Sequence, residues 1–145
     1  MRLNLQTDYA LRLLMHLAAN TQRLVKIAEV AERFRISRAH LMKVAYVLGR
    51  EGLIQTVRGR AGGLRLAHAP HKIRLGDVVR RIEGDAHLVG CMAGDPGYCV
   101  ISGACRLKGV FHEALRAFLD VLDRYTLADL TASPKILALL RERAA

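Results

Sequence analysis

Two short helical patterns joined by a tight link constrain the fold of this chain more than any other feature. Apolar residues recur at helical spacing over residues 26–34 and again over 38–50. The link is Arg35-Ile36, and the hydroxyl of Ser37 is suited to cap the second helix by accepting a backbone N–H hydrogen bond. This order predicts a helix-turn-helix. Four polar side chains of the first helix are expected to face water: Lys26, Glu29, Glu32 and Arg33.

The second helix of the pair has one face suited to reading DNA. Successive residues rotate by roughly 100° around a helix, which assigns one side, with Leu41, Val44, Ala45 and Leu48, to the core. The other side combines small, basic and hydrogen-bonding groups, as a helix in the major groove requires. Its candidate residues are Ser37, Arg38, Ala39, His40, Met42, Lys43 and Tyr46. For this helix alone, a solvated amphipathic helix is the alternative.

A hairpin rich in glycine and arginine follows directly. Residues 53–57 and 64–66 are predicted strands on either side of the tip Arg58-Gly59-Arg60-Ala61-Gly62-Gly63. Glycines let the backbone approach a phosphate or enter a minor groove, so Arg58, Arg60, Gly62 and Gly63 are further DNA-binding candidates. The helix-turn-helix and hairpin together predict a winged helix, preceded by a helix over 7–20. A helix over 75–83 is expected to pack against the hairpin.

The charge of the chain is positive and unevenly distributed. Its net charge is +10, and residues 1–82 hold 16 basic and 5 acidic side chains, against 7 and 8 in 83–145. A basic region of this kind predicts a polyanionic partner, and 18 arginines against 5 lysines favour nucleic acid over an anionic membrane. Because the sequence contains no apolar run approaching the roughly 18 residues of a membrane span and no apolar signal core, we expect a cytoplasmic protein.

The three cysteines lie close together in the sequence. Cys91, Cys99 and Cys105 share a stretch that also contains Gly94, Pro96, Gly97 and Gly103. An odd number of clustered thiols predicts metal ligation better than a disulfide framework. Three thiolates favour zinc or an iron–sulfur cluster, and either needs a fourth ligand. His87 and His112 are possible fourth ligands, as is a residue of a second subunit.

A long helix begins at Leu107, and its apolar residues are spaced like a heptad seam. The seam residues are Leu107, Phe111, Ala114, Phe118, Val121 and Tyr125. A second apolar stripe beside the seam predicts that the helix packs both on its own domain and on a second copy of the chain. The expected fold is mainly α with a small β-hairpin. It comprises a winged helix (1–82), a cluster-binding loop (83–106), and a dimerisation helix with a C-terminal helix (107–145).

Several motifs together resemble one family. They are Met1-Arg2-Leu3, Thr7-Asp8-Tyr9-Ala10-Leu11-Arg12, the hairpin 57–66, the three cysteines and the long helix. The chain resembles the winged-helix iron–sulfur repressors that include NsrR, IscR and RirA. Two stretches favour the NsrR-type nitric-oxide-responsive repressors: Cys105-Arg106-Leu107-Lys108 and residues 123–130.

The resemblance implies a function and a set of ligands. Cys91, Cys99 and Cys105 would ligate a cluster, 4Fe–4S in preference to 2Fe–2S, with Asp8 of the other subunit as fourth ligand. Arg12, four residues after Asp8, would orient that carboxylate. The protein would then be a homodimeric repressor, not an enzyme, which releases double-stranded operator DNA when nitric oxide damages the cluster.

Three alternatives remain. The seven residues between Cys91 and Cys99 are as expected for iron-responsive, RirA-type repressors, while Lys108 stands where IscR-type proteins have a ligating histidine. A zinc-stabilised DNA-binding module without sensing is an alternative of another class. A cysteine-dependent enzyme has little support, because no histidine stands in an evident relation to a cysteine that it would activate.

Overall fold

The chain folds into seven helices and one hairpin in a computed structural model that describes residues 3–84, 86–94 and 98–141. Positions 1–2 of the opening motif, 85 and 95–97 of the predicted cluster loop, and 142–145 of the C-terminal region lie outside the described residues. The elements in chain order are α1 (Leu5–Ala19), α2 (Ile27–Phe34), α3 (Arg38–Arg50), β1 (Ile54–Val57), β2 (Gly63–Leu66), α4 (Leu75–Glu83), α5 (Leu107–Leu122), α6 (Leu127–Leu130) and α7 (Pro134–Arg141). The mainly helical fold with a small hairpin is confirmed.

Local capping explains where the first helices begin and end. The side chain of Asn4 accepts a hydrogen bond from the Thr7 backbone N–H at 2.8 Å, so α1 begins earlier than the apolar pattern indicated. Ser37 caps α3 as predicted, since its Oγ accepts from the His40 N–H at 3.2 Å. Between α2 and α3, Arg35 adopts the left-handed conformation with φ 53°, which turns the chain sharply enough to place the two helices against each other.

The first helix is the centre of the hydrophobic core. It packs on α2, α3, α4, α6 and α7, and Leu13, Leu14 and Leu17 are almost completely buried between them. Burial of each such leucine contributes about 1.5–3 kcal/mol to folding. The face of α3 assigned to the core from its periodicity, with Leu41, Val44, Ala45 and Leu48, is buried against α1. The opposite face of α3 is therefore held outward.

The hairpin is joined to the helix-turn-helix by backbone hydrogen bonds. Strands β1 and β2 are antiparallel, with Ile54 opposite Leu66 and Val57 opposite Gly63. Val25, which precedes α2, donates to the Leu64 carbonyl at 3.0 Å and accepts from the Leu64 N–H at 2.8 Å. The wing is thus fixed to the start of α2 and is not a free arm.

The expectation that residues 75–83 pack on the hairpin was wrong. Helix α4 has the predicted bounds, but it packs on α1 and α5. The apolar face with Leu75, Val78 and Val79 meets the much larger apolar surface of α1, which explains the difference. At the other side of α4, the guanidinium of Arg80 pairs with the carboxylate of Asp123, just after α5.

The end of the described chain returns to its beginning. Asn20 donates from Nδ2 to the Leu140 carbonyl at 3.1 Å, and Arg141 donates from Nε to the Ala19 carbonyl at 2.8 Å. Leu127 of α6 is fully buried in the same core. Among the described residues, no helix is both long and apolar enough to cross a membrane.

Candidate DNA-binding surface and metal centre

The outward face of α3 has the side chains that a major-groove helix needs. Arg38, Ala39, His40, Lys43 and Tyr46 are all exposed. Ser37 is exposed as well, but its hydroxyl is engaged at the N-cap. The predicted contact residues of this helix therefore share one accessible face, because the buried residues of α3 fix its rotation on α1.

The tip of the wing carries exposed cations on a tightly constrained backbone. Arg58 and Arg60 are exposed, and a Cβ on the buried Gly62 would overlap the carbonyl oxygen of Val57. Only glycine fits at that position. Gly63 also has little space for a side chain, since a Cβ there would be 2.8 Å from the carbonyl oxygen of Val25.

Lys26 supports the wing in a way that the sequence did not indicate. Its ammonium donates to the backbone carbonyl of Arg60 at 2.9 Å, across 34 positions of sequence. The side chain therefore joins the start of α2 to the tip of the hairpin. The side chain of Arg60 is exposed, while its backbone carbonyl is fixed by the hydrogen bond from Lys26.

The three cysteines occupy the irregular segment before α5. Cys91 lies in a short 3-10 turn (Gly90–Ala93), Cys99 begins a turn, and Cys105 lies two positions before α5. All three are free thiols and half-buried. In the described residues, no three His, Cys, Asp or Glu side chains form a metal-binding group. Convergence of the cysteines on a metal therefore stays a prediction.

The chemistry of this donor set fits an iron–sulfur cluster. Thiolates are the preferred ligands of such clusters, and partial exposure leaves the three sulfurs accessible on a surface segment. The set is one ligand short of four, so a fourth donor is required. A fourth donor from a second subunit stays a prediction.

Asp8, the predicted fourth ligand, is paired with Arg12. It lies in the first turn of α1, and its carboxylate is hydrogen-bonded by Arg12 Nε at 3.1 Å and paired with Arg12 Nη2 at 2.8 Å. Both side chains are 43% exposed. The predicted orientation of Asp8 by Arg12 matches this geometry. Whether the carboxylate ligates a metal stays a prediction.

Helix α5 leaves a large apolar surface without cover from its own chain. None of its sixteen residues, all in the described part of the chain, is buried. The large apolar side chains exposed on or next to it are Leu107, Val110, Val121 and Tyr125. A groove of about 1130 Å³ between α4 and α5 is lined by further apolar residues, among them Phe111, Leu115 and Phe118. A helix this poorly covered is consistent with the predicted contact to a second copy.

The expectation that Glu29 faces water was wrong. Its carboxylate accepts from Arg23 Nη1 at 2.9 Å and from His16 Nε2 at 3.1 Å, and the His16 side chain is fully buried. The Arg23 hydrogen bond is the main reason that the pKa of Glu29 falls to about 2. Burial lowers the pKa of His16 below 6.5, although its hydrogen bond to Glu29 opposes that shift.

The position of His16 was a signal for this network. It stands on α1 between core positions, and a buried imidazole requires a hydrogen-bond partner. Because a carboxylate only accepts, Nε2 of His16 must carry the hydrogen. Glu29 thereby fixes α2 against α1, and with it the orientation of the helix-turn-helix.

Comparison with protein families identifies relatives of nearly the whole chain. The model described as "Rrf2: Iron-dependent Transcriptional regulator" matches residues 3–133. The HTH-type transcriptional regulator NsrR of Bacillus licheniformis is 49% identical over 131 residues, which is 90% of this chain and 92% of that protein. NsrR of Bacillus subtilis is 48% identical over 143 residues, which is 97% of this chain and 98% of that protein.

A solved structure has the same fold. The structure of T. potens IscR superposes with a TM-score of 0.73 and 27% sequence identity. The match covers 91% of this chain and 87% of that chain. The fold described above is thus shared with a solved structure over nearly the whole chain.

Proposed function

This chain belongs to the Rrf2 family of transcriptional regulators, and from that membership we propose that it is a homodimeric repressor that senses nitric oxide through an iron–sulfur cluster. It is a DNA-binding regulator and not an enzyme. The observation that carries the sensing proposal is the placement of three free, half-buried thiols in one segment before α5, in a chain nearly half identical to NsrR proteins. Its site of action is the cytoplasm, where operator DNA is accessible.

Operator binding uses the outward face of α3 and the wing. Arg38, His40 and Lys43 provide donors and positive charge for the major groove, and Ala39 and Tyr46 provide contact area. Arg58 and Arg60 approach the adjacent backbone or minor groove, while Gly62 and Gly63 keep the hairpin backbone close enough to do so. Two copies related by a twofold axis would bind two half-sites.

The sensing centre combines residues of two subunits. Cys91, Cys99 and Cys105 would hold a cluster, preferably 4Fe–4S with 2Fe–2S as the alternative, and Asp8 of the partner subunit would be the fourth ligand. When bound, the cluster supplies iron that nitric oxide can attack. A carboxylate is a harder ligand than a thiolate and binds this iron less strongly. Arg12, which is paired with the Asp8 carboxylate, would hold it in place for this role.

A change in the position of Asp8 would reach the DNA-binding surface through α1. This helix packs directly on α3, so a shift of its first turns changes the spacing of the two recognition helices. The contact between the α5 helices of the two subunits would also help to set the spacing of the recognition helices. Occupation of the thiols thereby favours the DNA-binding state, as any ligand favours the state to which it binds better.

An iron-responsive repressor is the second candidate. The seven residues between Cys91 and Cys99 favour it, as does the description of the family as iron-dependent. The two candidates share ligands and DNA surface. They differ in whether nitric oxide or iron depletion releases DNA.

One experiment separates these candidates. Protein purified without oxygen is used to enrich binding sites from a random duplex DNA library, and binding to the enriched DNA is then followed during titration with a nitric oxide donor or an iron chelator. Release by nitric oxide at a few equivalents per cluster is expected. Release by chelator alone would favour iron sensing, and colourless protein with stoichiometric zinc would rule out both.

The DNA surface and the fourth ligand each have a matched control. Lys43→Ala should lower the salt dependence of binding by a slope of about 1, the value for one phosphate contact, whereas Lys135→Ala on α7 should not. Asp8→Ala should change the visible spectrum or iron retention. Asp77→Ala, which removes a carboxylate paired with Arg80 at 3.1 Å, should leave both unchanged. An Asp8→Ala protein with a wild-type spectrum would exclude Asp8 as a ligand.

A further inference from the structure

Two large apolar side chains project from the middle of the outward face of α3. Met42 is 63% exposed and Tyr46 is 68% exposed. They are four residues apart and therefore lie on the same side of the helix, one turn from each other. We call Met42 and Tyr46 the apolar pair.

The apolar pair lies outside the hydrophobic core. Both residues are within the described part of the chain, and neither is among the buried residues of the core. The residues of α3 that fix it to α1 lie on the opposite face. Burial of this exposed apolar area against a partner would be favourable.

The charge around the apolar pair identifies that partner as DNA. Arg38 lies one helical turn before Met42 and Lys43 directly follows it, and both cationic side chains are exposed. Of the two carboxylates of α2, Glu29 is engaged with Arg23 and His16, and Glu32 is exposed. A basic rim around an apolar centre fits the major groove, where phosphates lie at the edges and base edges lie in the middle.

We propose that Met42, supported by Tyr46, recognises thymine through the C5-methyl group in the major groove. This proposal rests on the proposed DNA-binding function and adds the chemistry of base recognition. Thymine is the only base with an apolar group on its major-groove edge. A thioether chain has no hydrogen to donate and adapts its shape to an apolar contact, so Met42 discriminates by methyl contact alone.

Tyr46 can contact DNA through its hydroxyl as well as through its ring. Its hydroxyl can donate to a phosphate, whereas its ring adds apolar area beside Met42. Tyr46→Phe removes the hydroxyl and keeps the ring. If the ring is the important part, Tyr46→Phe retains methyl recognition and Tyr46→Ala reduces it.

The test uses DNA in which single methyl groups are removed. Duplexes enriched from a random library by the wild-type protein are resynthesised with uracil in place of each thymine in turn, which removes only the methyl group. At one or two positions in each half-site, wild-type binding should weaken about two- to fivefold, the effect of losing one buried methyl group. Met42→Ala should bind thymine and uracil duplexes equally at those positions, and Met42→Leu should retain the preference.

Two control variants separate methyl recognition from general DNA affinity. Lys43→Ala should weaken binding to all duplexes and keep the uracil penalty. Leu139→Ala, which truncates a side chain 49% exposed on α7, should bind like wild type. Equal uracil penalties in wild type and Met42→Ala, or no uracil penalty in wild type, would overturn the inference while leaving DNA binding intact. Failure to enrich any DNA would overturn the proposed function as well.

Discussion

The ring of Tyr9 on α1 lies against the ring of His40 on α3, with centroids 6.2 Å apart and planes inclined by 35°. Tyr9 directly follows Asp8, the proposed fourth ligand, and His40 belongs to the proposed DNA-reading face. The turn of α1 that would touch the metal therefore also touches the recognition helix.

Replacing Tyr9 should weaken communication between these sites. Tyr9→Ala removes the ring that contacts His40, so we expect the ratio of DNA affinities between cluster-loaded and cluster-free protein to fall severalfold, within the 5- to 150-fold range of typical coupling. Fluorescence anisotropy on both forms measures this ratio. Tyr9→Phe keeps the ring and should behave like wild type. An unchanged ratio in Tyr9→Ala would show that the signal takes another route.

The His16–Glu29–Arg23 network should make stability depend on pH. Glu29 has a folded pKa of about 2 against an ordinary 4.5, so its stabilising contribution is present above pH 4.5 and is lost as pH falls toward 2. His16 has a folded pKa below 6.5, so protonation favours the unfolded chain below pH 6.5. Both effects act in the same direction, so urea unfolding should show a loss of stability below pH 6.5 from His16 and a further loss below pH 4.5 from Glu29.

Glu29→Gln tests the carboxylate within that network. We expect it to lower the free energy of unfolding at pH 7 by about 1–3 kcal/mol, the order of magnitude of the pKa shift, and to flatten the dependence on pH below 4.5. Glu32→Gln alters an exposed carboxylate of the same helix and should change stability by less than about 0.5 kcal/mol. Equal effects of the two substitutions would contradict the assigned role of Glu29.

The wing should be sensitive to a single methyl group. In Gly62→Ala the new Cβ would overlap the Val57 carbonyl, so the hairpin backbone must move. We expect DNA affinity to fall about tenfold or more and stability to fall by about 1–3 kcal/mol. Gly49→Ala places the same methyl group in open space on α3 and should raise stability by about 0.5–1 kcal/mol. If Gly62→Ala bound DNA like wild type, the position of the wing would not determine DNA affinity.

The uncovered surface of α5 should be the dimer contact. Val110 is 58% exposed in the single chain, and Val110→Glu would bury a charge if a second copy packs there. Sedimentation equilibrium should show dimer affinity reduced about tenfold or more. Leu139→Glu places the same charge on a similarly exposed position of α7 and should leave the dimer intact. A stable Val110→Glu dimer would move the interface elsewhere.

Periodicity predicted the helical part of the fold well because local spacing determines which face of a helix is apolar. Helices α3 and α4 have the predicted bounds, and Ser37 is the predicted cap. Periodicity does not show which apolar faces pack against each other. The apolar face of α4 was therefore predicted correctly, but it packs on α1 and α5 and not on the hairpin.

The polar parts of the site were harder to predict, because charge alone does not reveal burial. Glu29 is spaced like a solvent-facing residue of α2, and only its contacts with His16 and Arg23 make it structural. The support of Arg60 by Lys26 depends on a turn of the hairpin that no local pattern encodes. The reading face of α3 was predictable because it is simply the side opposite the core.

The return of α7 to α1 has a consequence for biosynthesis. The hydrogen bonds from Asn20 to Leu140 and from Arg141 to Ala19 join positions 120 and 122 residues apart. Contacts so distant in sequence form late in folding, and α1 receives its last packing partner only after residue 141 has been translated. Because Cys91, Cys99 and Cys105 are translated before that point, the three thiols emerge while the helix that carries Asp8 is still incompletely packed.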